Sequence, residues 1–222
     1  PGAVNIPRGL LEFEVDGHPA VNYQTAEALS HRQRPVVLYC LSGGRSALAA
    51  EALLRLGFTE EAAAFGGWLT DRFREEHKGE SGPLQIMYAI DGRRDLTEST
   101  LDDLSGYGGA KPVRIGNGAF DQRQNDVFGA VLDSFLLHTR RSQRLPRRLW
   151  PIIQAQAECA TQVWQSPDQG IWEARGKPQH YVSSKLMGWV ALDRAAKLAE
   201  VRGDPERTTT WRATADEIKA DI

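Results

Sequence analysis

The sequence contains only two cysteines, Cys40 and Cys159. Nothing in their placement argues that they pair, so a disulfide-stapled scaffold is not indicated. Cys159 lies in the apolar, helix-like stretch "IIQAQAECATQVW" and reads as an inert buried thiol. The five histidines (18, 31, 77, 138 and 180) are scattered, and no Cys/His spacing looks like a metal site. Net charge is −2, which gives no electrostatic case for nucleic acid or an anionic membrane. No apolar run approaches the roughly 18 residues a membrane span needs. No secretory leader is recognisable, and the start at Pro1 suggests a fragment or a processed product. The chain is expected to be cytoplasmic, without a cofactor, and its oligomeric state is open.

What is present divides by pattern. The 222 residues suffice for one medium domain or two small ones. Residues 1–40 read as α/β. "VVLYC" (36–40) is a short β-branched and aromatic run suited to a buried strand. "YQTAEALSHR" (23–32) reads as a short helix with Thr25 as its cap. From about Ala47 the pattern turns helical. "SALAAEALLRLGF" ends at Gly57, and Thr59 should cap a helix over "EEAAAFGGWLTDRFREE", with Glu60 and Glu61 in its first turn. "GPLQIMYAIDG" (82–92) has strand character. "LTESTLDDL" (96–104) predicts a short helix capped by Thr97. "SGYGGAKPVRIGNG" (105–118) is too rich in Gly and Pro for a regular helix, and so long a loop usually serves a function. Helices follow at about 119–140, 147–166, 182–201 and 205–221, the last with Asp204 as cap and Pro205 at its first position. Phe128, Val131, Leu132, Phe135 and Leu136 mark the core face of the first of these four. Leu186, Trp189, Val190, Leu192 and Leu198 mark that of the third.

Two stretches carry chemistry. Cys40 ends the "VVLYC" strand and is followed by "LSGGRS". Leu41, Ser42, Gly43 and Gly44 can fold the backbone into a cradle of convergent N–H groups. A helix N-terminus and Arg45 add positive charge, which stabilises a thiolate. Such a thiolate can take up a sulfane sulfur and pass it on. "PGAVNIPRG" and "VVLYCLSGGRSALAAEALLRLGF" resemble the central and C-terminal half of the rhodanese family over roughly residues 1–58. Four residues separate Cys40 from Arg45, as in sulfurtransferases. The resemblance implies thiosulfate or another sulfane-sulfur donor as substrate. That family's first strand and helix would precede Pro1, and after "LLRLGF" a helix stands where it has a strand.

The second stretch is "SPDQGIWEARG" (166–176), a turn-rich loop between two helices. Glu173 sits beside Trp172, and an aromatic face next to a carboxyl should desolvate it and favour the protonated acid. Asp168 reads as a cap of the loop. This segment, with "ALLRLGFTEEAAAFGGWLTDRFREE", "GPLQIMYAIDGRRDLTE", "LDDLSGYGGAKPVRIGN", "DQRQNDVFG" and "SKLMGWVALDRA", resembles bacterial glycoside hydrolase family 15, the glucoamylase and trehalase-like enzymes, from about residue 52 onward. The resemblance implies part of an (α/α)6 barrel, α-linked glucosides as substrates, and inversion by two carboxylic acids. It implies Glu173 as general acid and Trp172 as a wall of the sugar site. Tyr88, Asp91, Arg114, Asn117, Gln124 and Asp126 would lie at the barrel mouth, although each alone fits a structural role better than a ligand-binding one. The family's second carboxylate is expected downstream of Ile222, so weak activity or none is expected of these residues.

The expected fold is therefore mixed. A partial α/β rhodanese-like segment over 1–58 precedes an all-α segment over 52–222, joined through a shared helix at about 47–58. A gene fusion, a recombination event and an assembly join would all leave this sequence. Three readings stay open: a hydrolase fragment, a sulfurtransferase acting through Cys40, and a module that holds oligosaccharide without turnover.

Overall fold

The computed structural model describes residues 59–77, 84–89 and 91–222. The rhodanese-like segment, with Cys40, Leu41, Ser42, Gly43, Gly44 and Arg45, and the junction helix lie outside them. The described part is helical. It comprises α1 (Thr59–His77), α2 (Asp126–Ser142), α3 (Trp150–Val163), α4 (Val182–Arg202) and α5 (Pro205–Asp221). Between α1 and α2 stands a two-residue antiparallel ladder, β1 (Ser99–Thr100) with β2 (Arg114–Ile115). No helix among the described residues is long and apolar enough to cross a membrane.

α1 begins at Thr59, where the sequence predicts its cap. It buries Leu69 and Phe73, four residues apart on one face. Trp68 meets Tyr88 edge-on at 5.4 Å, which ties α1 to the 84–89 segment. α2 buries the residues its 3.6-residue period marks: Phe128, Val131, Leu132, Phe135 and Leu136. α5 starts where Asp204 accepts from the Arg207 N–H at 3.1 Å, with Pro205 at the first turn.

α4 is the central helix. It packs along α2 and α5 and more briefly on α3. The sequence pattern misassigns part of its core face, because Leu186 is 46 % exposed. The buried stripe is instead small: Ser184, Gly188, Ala191, Ala195, Ala196 and Ala199, with Leu192 and Leu198 among them. Small side chains let neighbouring backbones approach on several sides, and burial then follows proximity rather than side-chain size. One such approach is at Gly129 of α2, where a Cβ would lie 2.5 Å from the Met187 carbonyl oxygen.

Three further expectations fail for local reasons. Residues 96–104 are not a helix. The Asp95 carboxylate accepts from both the Thr97 N–H (3.0 Å) and hydroxyl (2.6 Å), forming a turn that competes with helix. The chain then pairs Ser99 with Ile115 and Thr100 with Arg114. Residues 84–89 bury Leu84, Ile86 and Met87 but join no ladder. Gln85 instead links its own segment, donating from Nε2 to the Met87 and Arg94 carbonyls at 2.8 Å each. α2 starts at Asp126 rather than near 119, since Asn117 Oδ1 accepts from the Ala119 N–H at 2.9 Å and winds residues 117–122 into turns. Both predicted boundaries of α3 shift similarly: a 3-10 turn at Arg147–Leu149 leads into α3, which stops at Val163.

Candidate active site

Three segments converge between β1 and the starts of α2 and α4: residues 95–98, 114–126 and 166–184. The last is the loop that carries Glu173. Its anchor is Asp168, which is 1 % exposed. The Asp168 carboxylate accepts from the Asn125 N–H at 2.7 Å and lies 3.0 and 2.9 Å from the Ser184 hydroxyl. Asp168 and Gln179 also exchange backbone hydrogen bonds of 2.9 and 2.8 Å, closing the loop at its base. A buried carboxylate needs such donors, so Asp168 fixes the loop to both helix starts at once.

The tip of the loop is a tight turn. Gly170 has φ +66°, and a Cβ there would meet the Tyr181 ring at 2.9 Å. Glu173 itself has φ +56°, a conformation that non-glycine residues adopt rarely. Its N–H donates to the Gly170 carbonyl at 3.2 Å, and the Ala174 N–H donates to the Gln169 carbonyl at 3.2 Å. The turn is stapled outward by Gln122, whose Nε2 donates to the Ala174 carbonyl at 3.1 Å.

Glu173 is half-buried, and its Oε2 accepts from Asn117 Nδ2 at 3.1 Å. Asn117 is 5 % exposed and also receives the Arg175 guanidinium on Oδ1 at 3.1 Å. Arg175 and Arg114 flank Glu98 at 3.6 and 3.4 Å. Glu98 also accepts from the Gly118 N–H at 3.3 Å. These ion pairs are more than half exposed at the arginines and contribute little to stability, but they set the charge pattern of the site. Trp172 corrects the sequence reading. It is 90 % exposed and gives Glu173 little shelter from water.

Of the other candidates, Arg114 and Asn117 join this network. Gln124 lies just behind it, 5 % exposed, with Nε2 3.4 Å from Gln122 Oε1. Asp126 opens α2 and is also buried, with Oδ1 lacking a hydrogen-bond partner among the described residues. Burial, assisted by the nearby Asp168 charge and opposed by its own backbone N–H, raises its pKa to about 6. Tyr88 and Asp91 are held in the 84–93 segment. The Tyr88 hydroxyl accepts from the Gln85 N–H at 2.9 Å, and Asp91 bonds within its own turn to Arg93. Sequence reasoning missed Arg175, Glu98 and Gln122. Arg175 had a signal, two residues after Glu173 in the same turn-rich loop. Glu98 was hidden by the helical reading of 96–104. Among the described residues no three His, Cys, Asp or Glu side chains are grouped to hold a metal ion.

Residues 46–222 match the family model of glycosyl hydrolases family 15, and residues 1–69 match that of the rhodanese-like domain. Among curated proteins, the chain is 51 % identical over 177 residues to a trehalase of Mycobacterium tuberculosis. It is 49 % identical over 177 residues to a trehalase of Mycolicibacterium smegmatis, and 36 % over 180 residues to trehalase 2 of Sulfolobus acidocaldarius. Each match takes in 80 % of this chain. The matched part spans 26 %, 26 % and 31 % of those relatives' own lengths. No solved structure matches the chain.

Proposed function

This chain belongs to glycosyl hydrolases family 15, with a rhodanese-like domain at its N-terminal end, and from that premise we propose that its helical part carries the acid half of a site for α-linked glucosides. Trehalose is the first substrate to test, because the relatives above are trehalases. Glu173 is the general acid in this reading. In its protonated form it gives its proton to the glycosidic oxygen as the C1–O bond breaks. Water, deprotonated by a second carboxylate, attacks C1 from the opposite face and inverts the anomeric centre. The exposed indole of Trp172 suits the apolar face of a sugar ring. Arg114 and Gln124 are proposed as polar sugar contacts, with Tyr88 and Asp91 further along the rim. The helices are read as part of an (α/α)6 barrel.

One observation carries this reading. Glu173 stands at the tip of a loop anchored through buried Asp168, in a left-handed conformation, with its carboxylate held by Asn117. Strain fixed by so many contacts points to a function for the strained residue. The family's second carboxylate is not assigned to any of these 222 residues, so we propose slow turnover by this chain alone, by about 10²–10⁴-fold relative to a complete pair. Calorimetric titration with trehalose and with maltose tests the substrate class. Saturable heat with either sugar, weakened in Trp172→Ala, supports it. No heat with either sugar refutes it.

A second reading rests on the rhodanese-like match over residues 1–69, which takes in Cys40 and Arg45. The Cys40 thiolate would attack the outer sulfur of thiosulfate, forming a persulfide as the S–S bond breaks and sulfite leaves. Mass spectrometry after thiosulfate treatment should then show one added sulfur on Cys40. An unmodified Cys40 ends this reading.

A further inference from the structure

We propose that Asn117 and Arg175 act as positioning residues for Glu173, holding its carboxyl in one orientation and leaving Oε1 as the oxygen that carries the transferable proton. This inference rests on the reading of Glu173 as the general acid. It gives Asn117 a different task from the sugar contact that its place at the barrel mouth suggests.

The amide of Asn117 can face only one way. Its Oδ1 receives two donors, the Ala119 N–H at 2.9 Å and the Arg175 guanidinium at 3.1 Å. A flipped amide would set its NH2 against both donors, in a place that is 5 % exposed and has little water to compensate. Nδ2 must therefore point at Glu173, and it donates to Oε2 at 3.1 Å. Arginine holds no acceptor and stays charged, so its end of the chain cannot reverse. Glu98 holds Arg175 from the other side at 3.6 Å. Glycine at 118 makes room, since a Cβ there would lie 2.7 Å from Arg175 Nη1.

The consequence falls on the proton. An N–H directed at Oε2 opposes an O–H on the same atom. The acid proton is therefore on Oε1, which has no hydrogen-bond partner among the described residues. Because Glu173 and Arg175 share one loop while Asn117 comes from another, the clamp also locks the two loops together. A general acid must sit within hydrogen-bond reach of the leaving oxygen, so a carboxyl free to rotate would lose rate even with its chemistry intact.

The test follows the side-chain NH2 pair of Asn117 in nitrogen–proton spectra of the full chain, assigned by its loss in Asn117→Ser. The expected wild-type pair is well separated in shift and slow to exchange with water. Glu173→Ala should move the bonded proton and speed exchange roughly tenfold, the worth of one hydrogen bond. Arg175→Met should speed it by about the same factor, although it touches the other end of the amide. If Arg175→Met does not fold, Gly118→Ala displaces the guanidinium without removing it and should give the same change, while Arg175→Lys restores part of the protection. Backbone signals of α5 should stay in place throughout. An Asn117 pair that is unaltered by Glu173→Ala, or by loss of the arginine contact, overturns the proposal. The acid reading fails separately. If the spectra behave as expected but Glu173→Gln leaves glycosyl transfer unchanged, the clamp stands and Glu173 is not the acid.

Discussion

Asp126→Asn should stabilise this protein at neutral pH and not at acid pH. Asp126 starts α2, is 7 % exposed and has its Oδ1 without a partner among the described residues. Burial, with the Asp168 charge beside it, raises its pKa from 3.8 to about 6. A carboxyl whose folded pKa is raised binds more protons in the folded state than in the unfolded state between those values. Stability therefore falls as pH rises from about 4 to about 6, and the penalty is complete above that window. A shift of about two units sets a ceiling of about 3 kcal/mol. The helix dipole offsets part of it, since a charge in the first turn of α2 gains about 0.3–1 kcal/mol. Removing the charge should thus raise stability at pH 7 by about 2–3 kcal/mol, or about 4–12 °C in Tm for a chain of this length. Urea unfolding of both proteins near pH 7 and near pH 4 is the assay. An equal gain at the two pH values, or a loss at pH 7, would refute the reasoning.

Three other outcomes are expected. Gly170→Ala combines a positive φ with a contact of 2.9 Å to the Tyr181 ring, and should lower stability by about 1–3 kcal/mol in thermal unfolding. Asp168→Ala strands the buried Asn125 N–H and Ser184 hydroxyl, at about 1–3 kcal/mol for each group left unpaired, and should also expose the 166–181 loop to protease. Leu132→Ala, at a fully buried site of α2, should cost about 2–5 kcal/mol without altering the Asn117 side-chain spectrum.

The helices were legible in the sequence wherever a period or a cap was strong. The stripe Phe128–Leu136 and the Asp204–Pro205 start of α5 are instances, and both follow from local physics alone. Legibility stopped where partners distant in sequence decide. Thr97 looks like a cap until Asp95 captures it and β2 pairs with the residues beyond. Leu186 fits an apolar face until α2 and α5 close on the small residues of α4. At the site, Glu173 and its loop could be picked out by resemblance and by turn-rich composition. Asn117 could be named by the same resemblance, but its bond to Glu173 could not, because it lies 56 positions away and bonds it only through the folded approach of two loops. Trp172 shows the converse error: adjacency in sequence suggested a shielding contact, yet its ring is 90 % exposed.

The central proposal is that Glu173 acts as the general acid toward α-linked glucosides. Azide can substitute for the base-activated water, attacking C1 as Glu173 protonates the departing oxygen. The full chain incubated with trehalose and azide should therefore form β-glucosyl azide, and Glu173→Gln should slow this by about 10²–10⁴-fold. Absence of the azide product, or its formation at the same rate in Glu173→Gln, would contradict the account.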